Sequence, residues 1–239
     1  MATRTRTDTK LISTLFLVGA ALAVLGNGLH PFFAADATAA DIVAEASSSS
    51  LWLPVHVGIG IALLMLTGGL ALLAGALRDT PGRSYAALTA VLAIVGGTIF
   101  TFQIAAVDGY AMRAVADLPQ GEAAAAAIAT LGAIDTGLLS LSVMLFLGLT
   151  FVALGETCDK ADIFAGWIRW TATIAGILGV IVGLLMLADT ATDFTFIAFR
   201  VVALATTIVA IGIGVALRKG PEVIDLSTAP SESKTTTPA

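Results

Sequence analysis

Six long apolar stretches follow one another along this chain, at roughly Leu11–Phe33, Leu51–Leu77, Tyr85–Val107, Leu131–Leu154, Trp167–Leu187 and Phe196–Leu217. About 20 apolar residues in a helix cross a hydrocarbon core about 30 Å thick, and each stretch is long enough. The pattern predicts an all-α fold, a six-helix transmembrane bundle. The connecting segments are short and none reads as a second, soluble domain. Residues 1–10 are expected to form a cytoplasmic N-terminal segment and residues 11–217 the integral membrane domain. The Ser-, Thr- and Pro-rich residues 218–239 are expected to form a disordered cytoplasmic tail.

The third stretch does not stop where its apolar run ends. After Asp108-Gly109, residues 110–118 still carry a helical pattern, with Arg113 and Asp117 four apart. Pro119-Gln120-Gly121 then turns the chain and the alanine run 123–127 restarts it. The third and fourth helices are therefore expected to extend two or three turns, about 15 Å, beyond the outer membrane face. Residues 34–50 read as an alanine- and acid-rich loop, with Ser50 as N-cap of the second helix and Trp52 as a headgroup-level anchor. Trp167 and Trp170 are expected to anchor the other end of the bundle. Gly179 and Gly183, four apart, predict close internal helix packing, with homo-oligomerisation through this motif as the alternative.

Composition agrees with the pattern: 57% of residues are hydrophobic and 12% charged, about half the charged share of a soluble domain. Basic residues set the orientation. Arg4, Arg6, Lys10, Arg78, Arg83, Lys160, Arg169, Arg218, Lys219 and Lys234 all fall on one side of a six-helix topology. Asp36, Asp41, Glu45, Asp108, Asp117, Glu122, Asp189 and Asp193 fall on the other, with Arg113. Both termini are thus expected in the cytoplasm of a multi-pass cell-membrane protein whose partner is the lipid bilayer. The first stretch, followed by Ala35-Asp36-Ala37, imitates a signal peptide, but its apolar run exceeds the 7–15 residues of a typical h-region. Cleavage there would remove His30. The net charge of −5 comes without any basic stripe, which excludes nucleic acid as a partner. The lone Cys158, placed in a cytoplasmic loop, excludes an internal disulfide and a cysteine-based metal cluster.

Polar residues embedded in the stretches gather towards the outer end. His30 closes the first helix, His56 opens the second, and Asp108 ends the third. Asp135 and Arg200 lie about a turn inside the fourth and sixth, with Asn27, Gln103 and Tyr110 at similar depth. Several share a face with small residues, which favour helix contacts over lipid: His30 with Gly19, Ala23 and Gly26, and Arg200 with Ala203 and Thr207. At 100° per residue Gln103 and Asp108 diverge by about 140°, so Gln103 is expected to point inward with Tyr110 rather than with Asp108. A charge at a helix centre costs up to about 2.5–3.5 kcal/mol on insertion scales, which predicts an Asp135–Arg200 ion pair.

Asp135, Arg200, Asn27, Gln103 and Tyr110 are thus candidate ligand-binding residues. His30, His56 and Asp108 are candidate metal or haem ligands, two imidazoles on neighbouring helices being an axial donor pair. No Gly-rich phosphate loop, HExxH, CxxC or GxSxG is present, so binding is expected rather than catalysis. No lysine lies within a helix core to form a retinal Schiff base, and no polar line crosses the inner half to make a pore. The reading that accounts best for the polar layer is a small ligand or ion bound near the extracytoplasmic face, in transport or sensing. A ligand-free structural or accessory subunit and a haem- or metal-binding redox subunit are the two alternatives.

Overall fold

A computed structural model describes residues 9–31, 38–118, 122–188 and 193–219. The Pro119-Gln120-Gly121 turn, the tail beyond 219, the first eight residues, Asp36 and Asp189 lie outside the described residues, as do the side chains of Glu122 and Asp193. The described residues form seven helices: α1 (Thr9–Leu29), α2 (Ala39–Ser48), α3 (Trp52–Ala76), α4 (Arg83–Ala116), α5 (Ala123–Lys160), α6 (Gly166–Leu187) and α7 (Phe194–Arg218). All but α2 are long and apolar enough to cross a membrane, and no strand occurs among the described residues.

Each long helix packs on the next in sequence, and α7 returns to α1 to close a ring. The Ser13 hydroxyl donates to the Gly214 carbonyl at 2.7 Å, so the start of α1 and the end of α7 share one end of the bundle. Residue type sorts by face. On α6, Gly176, Gly179 and Gly183 point into the ring while Ile174, Ile177, Ile181 and Leu184 are exposed around it. On α7, Ile197, Val201, Leu204 and Ile208 are likewise exposed. Small residues inside and large aliphatic ones outside is the arrangement expected where the surrounding solvent is lipid.

Two helices depart from α geometry. Residues Gln103–Ala111 of α4 and Val143–Leu149 of α5 are π-helical, with hydrogen bonds reaching one residue further than in an α-helix. Glycine makes room for the second segment on both flanks. A Cβ on Gly96 of α4 would lie 2.7 Å from the Phe146 nitrogen, and one on Gly179 would lie 2.9 Å from the Gly148 Cα. The Gly179–Gly183 motif is therefore used in packing α6 on α5, as its place in a multi-helix chain implies.

Residues 39–48, expected as loop, form α2. The overlooked signal is a capping box: the Thr38 hydroxyl accepts from the Asp41 N–H, and the Asp41 carboxylate accepts from the Thr38 N–H at 2.8 Å and hydroxyl at 2.7 Å. Those bonds hold the Asp41 carboxyl below the ordinary carboxylate range, the side-chain bond contributing most. Ile42, Val43 and Ala46 give α2 an apolar face, which packs with Trp52, Met112, Ala116 and Ile128. Trp52 is therefore buried rather than at the protein surface, unlike Trp167 and Trp170, which are exposed. Nor does Ser50 cap α3: Leu51 occupies the N-cap and no side chain bonds there. Cys158 lies within α5, buried, because the helix runs on past its apolar stretch and seats Cys158 in the core beside Leu154.

Arg113 forms the expected pair with Asp117 at 3.5 Å, and its guanidinium also donates to the Ala46 and Ser47 carbonyls at the end of α2. A cation on the last carbonyls of a helix satisfies groups with no partner inside it. Arg113→Ala should release α2, since bonds to a charged group contribute about 1.5–3 kcal/mol. Amide exchange in residues 42–48, read by mass spectrometry, should then rise by about ten-fold or more. Unchanged protection would show that the apolar face alone docks α2.

Candidate functional site

The ring encloses a cavity of about 340 Å³. Phe16, Leu66, Leu70, Phe146 and Phe151 line its apolar depth; Asn27, His30, Gln103, Asp108, Asp135 and Arg200 stand at the end opposite the α1 start and α7 end. The volume falls within the range of small-molecule sites, which combine apolar walls with a few polar groups. Of the expected ligand-binding residues, the fold gathers Asp135, Arg200, Asn27 and Gln103 around this cavity. Tyr110 is the one it sends elsewhere: its ring is 67% exposed and lines a shallow surface groove with Ala114 and Leu131.

The π segment explains that difference. Where bonds reach five residues on, residues five apart share a face, so Gln103 and Asp108 both reach the cavity and Tyr110 is carried outward. A wheel drawn at 100° per residue makes the opposite assignment. The wide turn is held from outside by Trp52, whose indole N–H donates to the carbonyls of Gly109 at 3.0 Å and Asp108 at 3.2 Å. Gly109 is required there: a Cβ would lie 2.7 Å from the Cβ of His56.

Both histidines are oriented by backbone. The His56 ring bonds the Trp52 carbonyl through Nδ1 at 2.6 Å, one turn back on α3. The His30 ring bonds the Pro31 carbonyl through Nδ1 at 2.7 Å. A carbonyl only accepts, so each Nδ1 carries the proton. Both Nε2 atoms point at one carboxylate oxygen, Asp108 Oδ2, at 3.6 Å from His30 and 3.2 Å from His56. The rings lie 4.7 Å apart, and Trp52 covers His56 on its other side at 4.5 Å. His56 is fully buried and its Nε2 has no hydrogen-bond partner. A carboxylate and two imidazole nitrogens thus converge as acceptors on one point, where a proton or a cation would bridge them.

These three donor atoms lie within 4.8 Å of one another, close enough for one small ion. Both imidazoles converge on the same carboxylate oxygen.

Beside the triad, the Gln103 amide donates to Asp135 Oδ1 at 2.7 Å. No ion pair joins Asp135 to Arg200 among the described residues. The expected partner is replaced because the wide turn of α4 brings Gln103 to Asp135 across the α4–α5 contact, while Arg200 is exposed on α7. The Gln103 Oε1 and the Thr67 hydroxyl are buried without partners, two further polar atoms inside the ring. Comparison with known proteins gives no matching family model, no matching curated protein and no matching solved structure.

Proposed function

We propose that this chain is a multi-pass membrane protein that binds a small ligand with an apolar body and a polar head, in the service of transport or sensing. The observation that carries this reading is the cavity within the ring, largely apolar in its lining and with its ionisable groups gathered at one end. The uneven distribution of Lys and Arg supports cytoplasmic termini, which puts the polar end at the extracytoplasmic face. The lengths of α4 and α5 fit helices that continue beyond the membrane. At 34 and 38 residues, about 50 and 55 Å at 1.5 Å each, they exceed a core of about 30 Å, so their outer ends with α2 form a cap over the mouth.

Native mass spectrometry tests this, with single-chain amphiphiles bearing carboxylate, alcohol or amine heads added to detergent-purified protein. One head class should bind saturably, with one molecule per chain. Ala203 lines the cavity, so Ala203→Phe should fill it and weaken that binding by about ten-fold or more, the equivalent of about 1.4 kcal/mol. Non-saturable uptake, or equal uptake by the folded variant, would leave the cavity as packing space alone.

A further inference from the structure

We propose that His30, His56 and Asp108 hold one divalent transition-metal ion of the zinc class, through the two Nε2 atoms and Oδ2. This goes beyond the cavity reading and stands whether or not an organic ligand is bound.

Three independent observations support it. The first is spacing. Bonds of about 2.0–2.1 Å in a tetrahedron place neighbouring donor atoms about 3.3 Å apart. The two Nε2–Oδ2 distances, 3.2 and 3.6 Å, bracket that value, and the donors all lie within 4.8 Å. The second is tautomer control. Metal-bound histidines generally donate their other ring N–H to a carbonyl or carboxylate, which fixes the ring and raises its basicity. Both histidines here make that bond, to Pro31 and to Trp52. The third is burial: the wholly buried His56 Nε2 makes no hydrogen bond and is aimed at the Asp108 oxygen 3.2 Å away. Burying such a nitrogen without a hydrogen bond is costly, and a metal bond would satisfy it.

The donor set narrows the ion. Calcium and magnesium take oxygen ligands, whereas two imidazoles and a carboxylate suit zinc and its first-row neighbours. Three protein ligands leave a fourth position open, as in sites that exchange water or a ligand. His30 and Asp108 both line the cavity, so that position faces its interior. Asp135 at the same end supplies a second carboxyl group, which with Asp108 would balance a dication.

The test is a metal titration of the full chain, purified in detergent, stripped with chelator and supplied with no organic ligand. Elemental analysis after equilibration with Zn²⁺ and gel filtration should give about one ion per chain. Co²⁺ in its place should give the intense visible bands of a four-coordinate site. His56→Gln and Asp108→Asn should each weaken Zn²⁺ binding by about 100-fold, at or beyond the loss typical of outer-shell changes. Ala203→Phe, which alters the cavity wall away from the three donor atoms, should retain one ion per chain. Zinc far below one ion per chain in the wild type would overturn the proposal. So would Co²⁺ bands that are weak and six-coordinate, or binding undiminished in Asp108→Asn. The cobalt spectrum needs only the wild-type chain, so a variant that fails to fold does not shield the idea. Metal failure with amphiphile binding intact would sink this site and leave the cavity reading standing; the reverse result would do the opposite.

Discussion

Gly179→Val is expected to break the seam between α5 and α6 and so destabilise the whole bundle. A Cβ at residue 179 would lie 2.9 Å from the Cα and nitrogen of Gly148 and 3.0 Å from the Leu147 carbonyl carbon. These are backbone atoms of a neighbouring helix and cannot swing aside as a side chain would. Gly176 and Gly183 meet α5 backbone atoms as closely, at 2.6 and 2.7 Å, so the seam offers no direction in which α6 can slip. Overpacking a well-fitted contact costs about 1–3 kcal/mol and sometimes more; a β-branched residue against rigid backbone should reach about 3 kcal/mol or above. Gly75, by contrast, has open space where its Cβ would stand, and Gly75→Ala should change stability by no more than about 1 kcal/mol. Thermal unfolding in detergent, followed by the monomeric fraction surviving on gel filtration, compares the two. Equal stability of Gly179→Val and wild type would mean that α5 and α6 are not in the described contact.

The second large effect concerns Gln103. Its amide is the hydrogen-bond donor to the half-buried Asp135 carboxyl group, so Gln103→Leu should leave that group without it. An unsatisfied buried polar group costs about 1–3 kcal/mol, more when charged. Replacing both residues, Gln103→Leu with Asp135→Leu, should recover most of the loss, because neither partner then remains unsatisfied. A double-mutant cycle gives the decisive comparison. The 103–135 coupling should exceed about 1 kcal/mol, and the 135–200 coupling should stay below about 0.5 kcal/mol. A reversed ranking would restore the ion pair that the sequence predicts and remove the amide from the centre of the site.

Those two experiments divide what the chain discloses in one dimension from what it does not. The six spans were legible because a membrane-crossing helix is an uninterrupted apolar run, and neither neighbours nor register need be known to see it. The gathering of His30, His56, Asp108 and Asp135 at one level was legible for the same reason: antiparallel helices fix depth from sequence position. Direction around each helix was not. A wheel at 100° per residue holds only while hydrogen bonds keep an α-helical reach, and the turn after Phe102 departs from it. Nothing between residues 103 and 111 announces the change by composition alone. Gly109 is its one local sign, and that glycine explains itself only beside His56 and Trp52, more than 50 residues away. The predicted partner of Asp135 failed through the same omission. α2 was missed for a different reason: its Thr38-to-Asp41 capping box is as plain in the sequence as any, but alanine-rich, acidic residues between two spans read as loop.

The closed ring also bears on how the protein is made. α1 is the first wall to leave the ribosome and α7 the last, yet they stand side by side, joined by Ser13 and Gly214. Until α7 inserts, Asp108 and Asp135 lie in a ring with one side open, where lipid can reach groups that are costly to expose to it. The unfinished chain therefore exposes to lipid two carboxyl groups that the completed ring surrounds. Chains that stall at that stage are marked by the same carboxyl groups that later make the site.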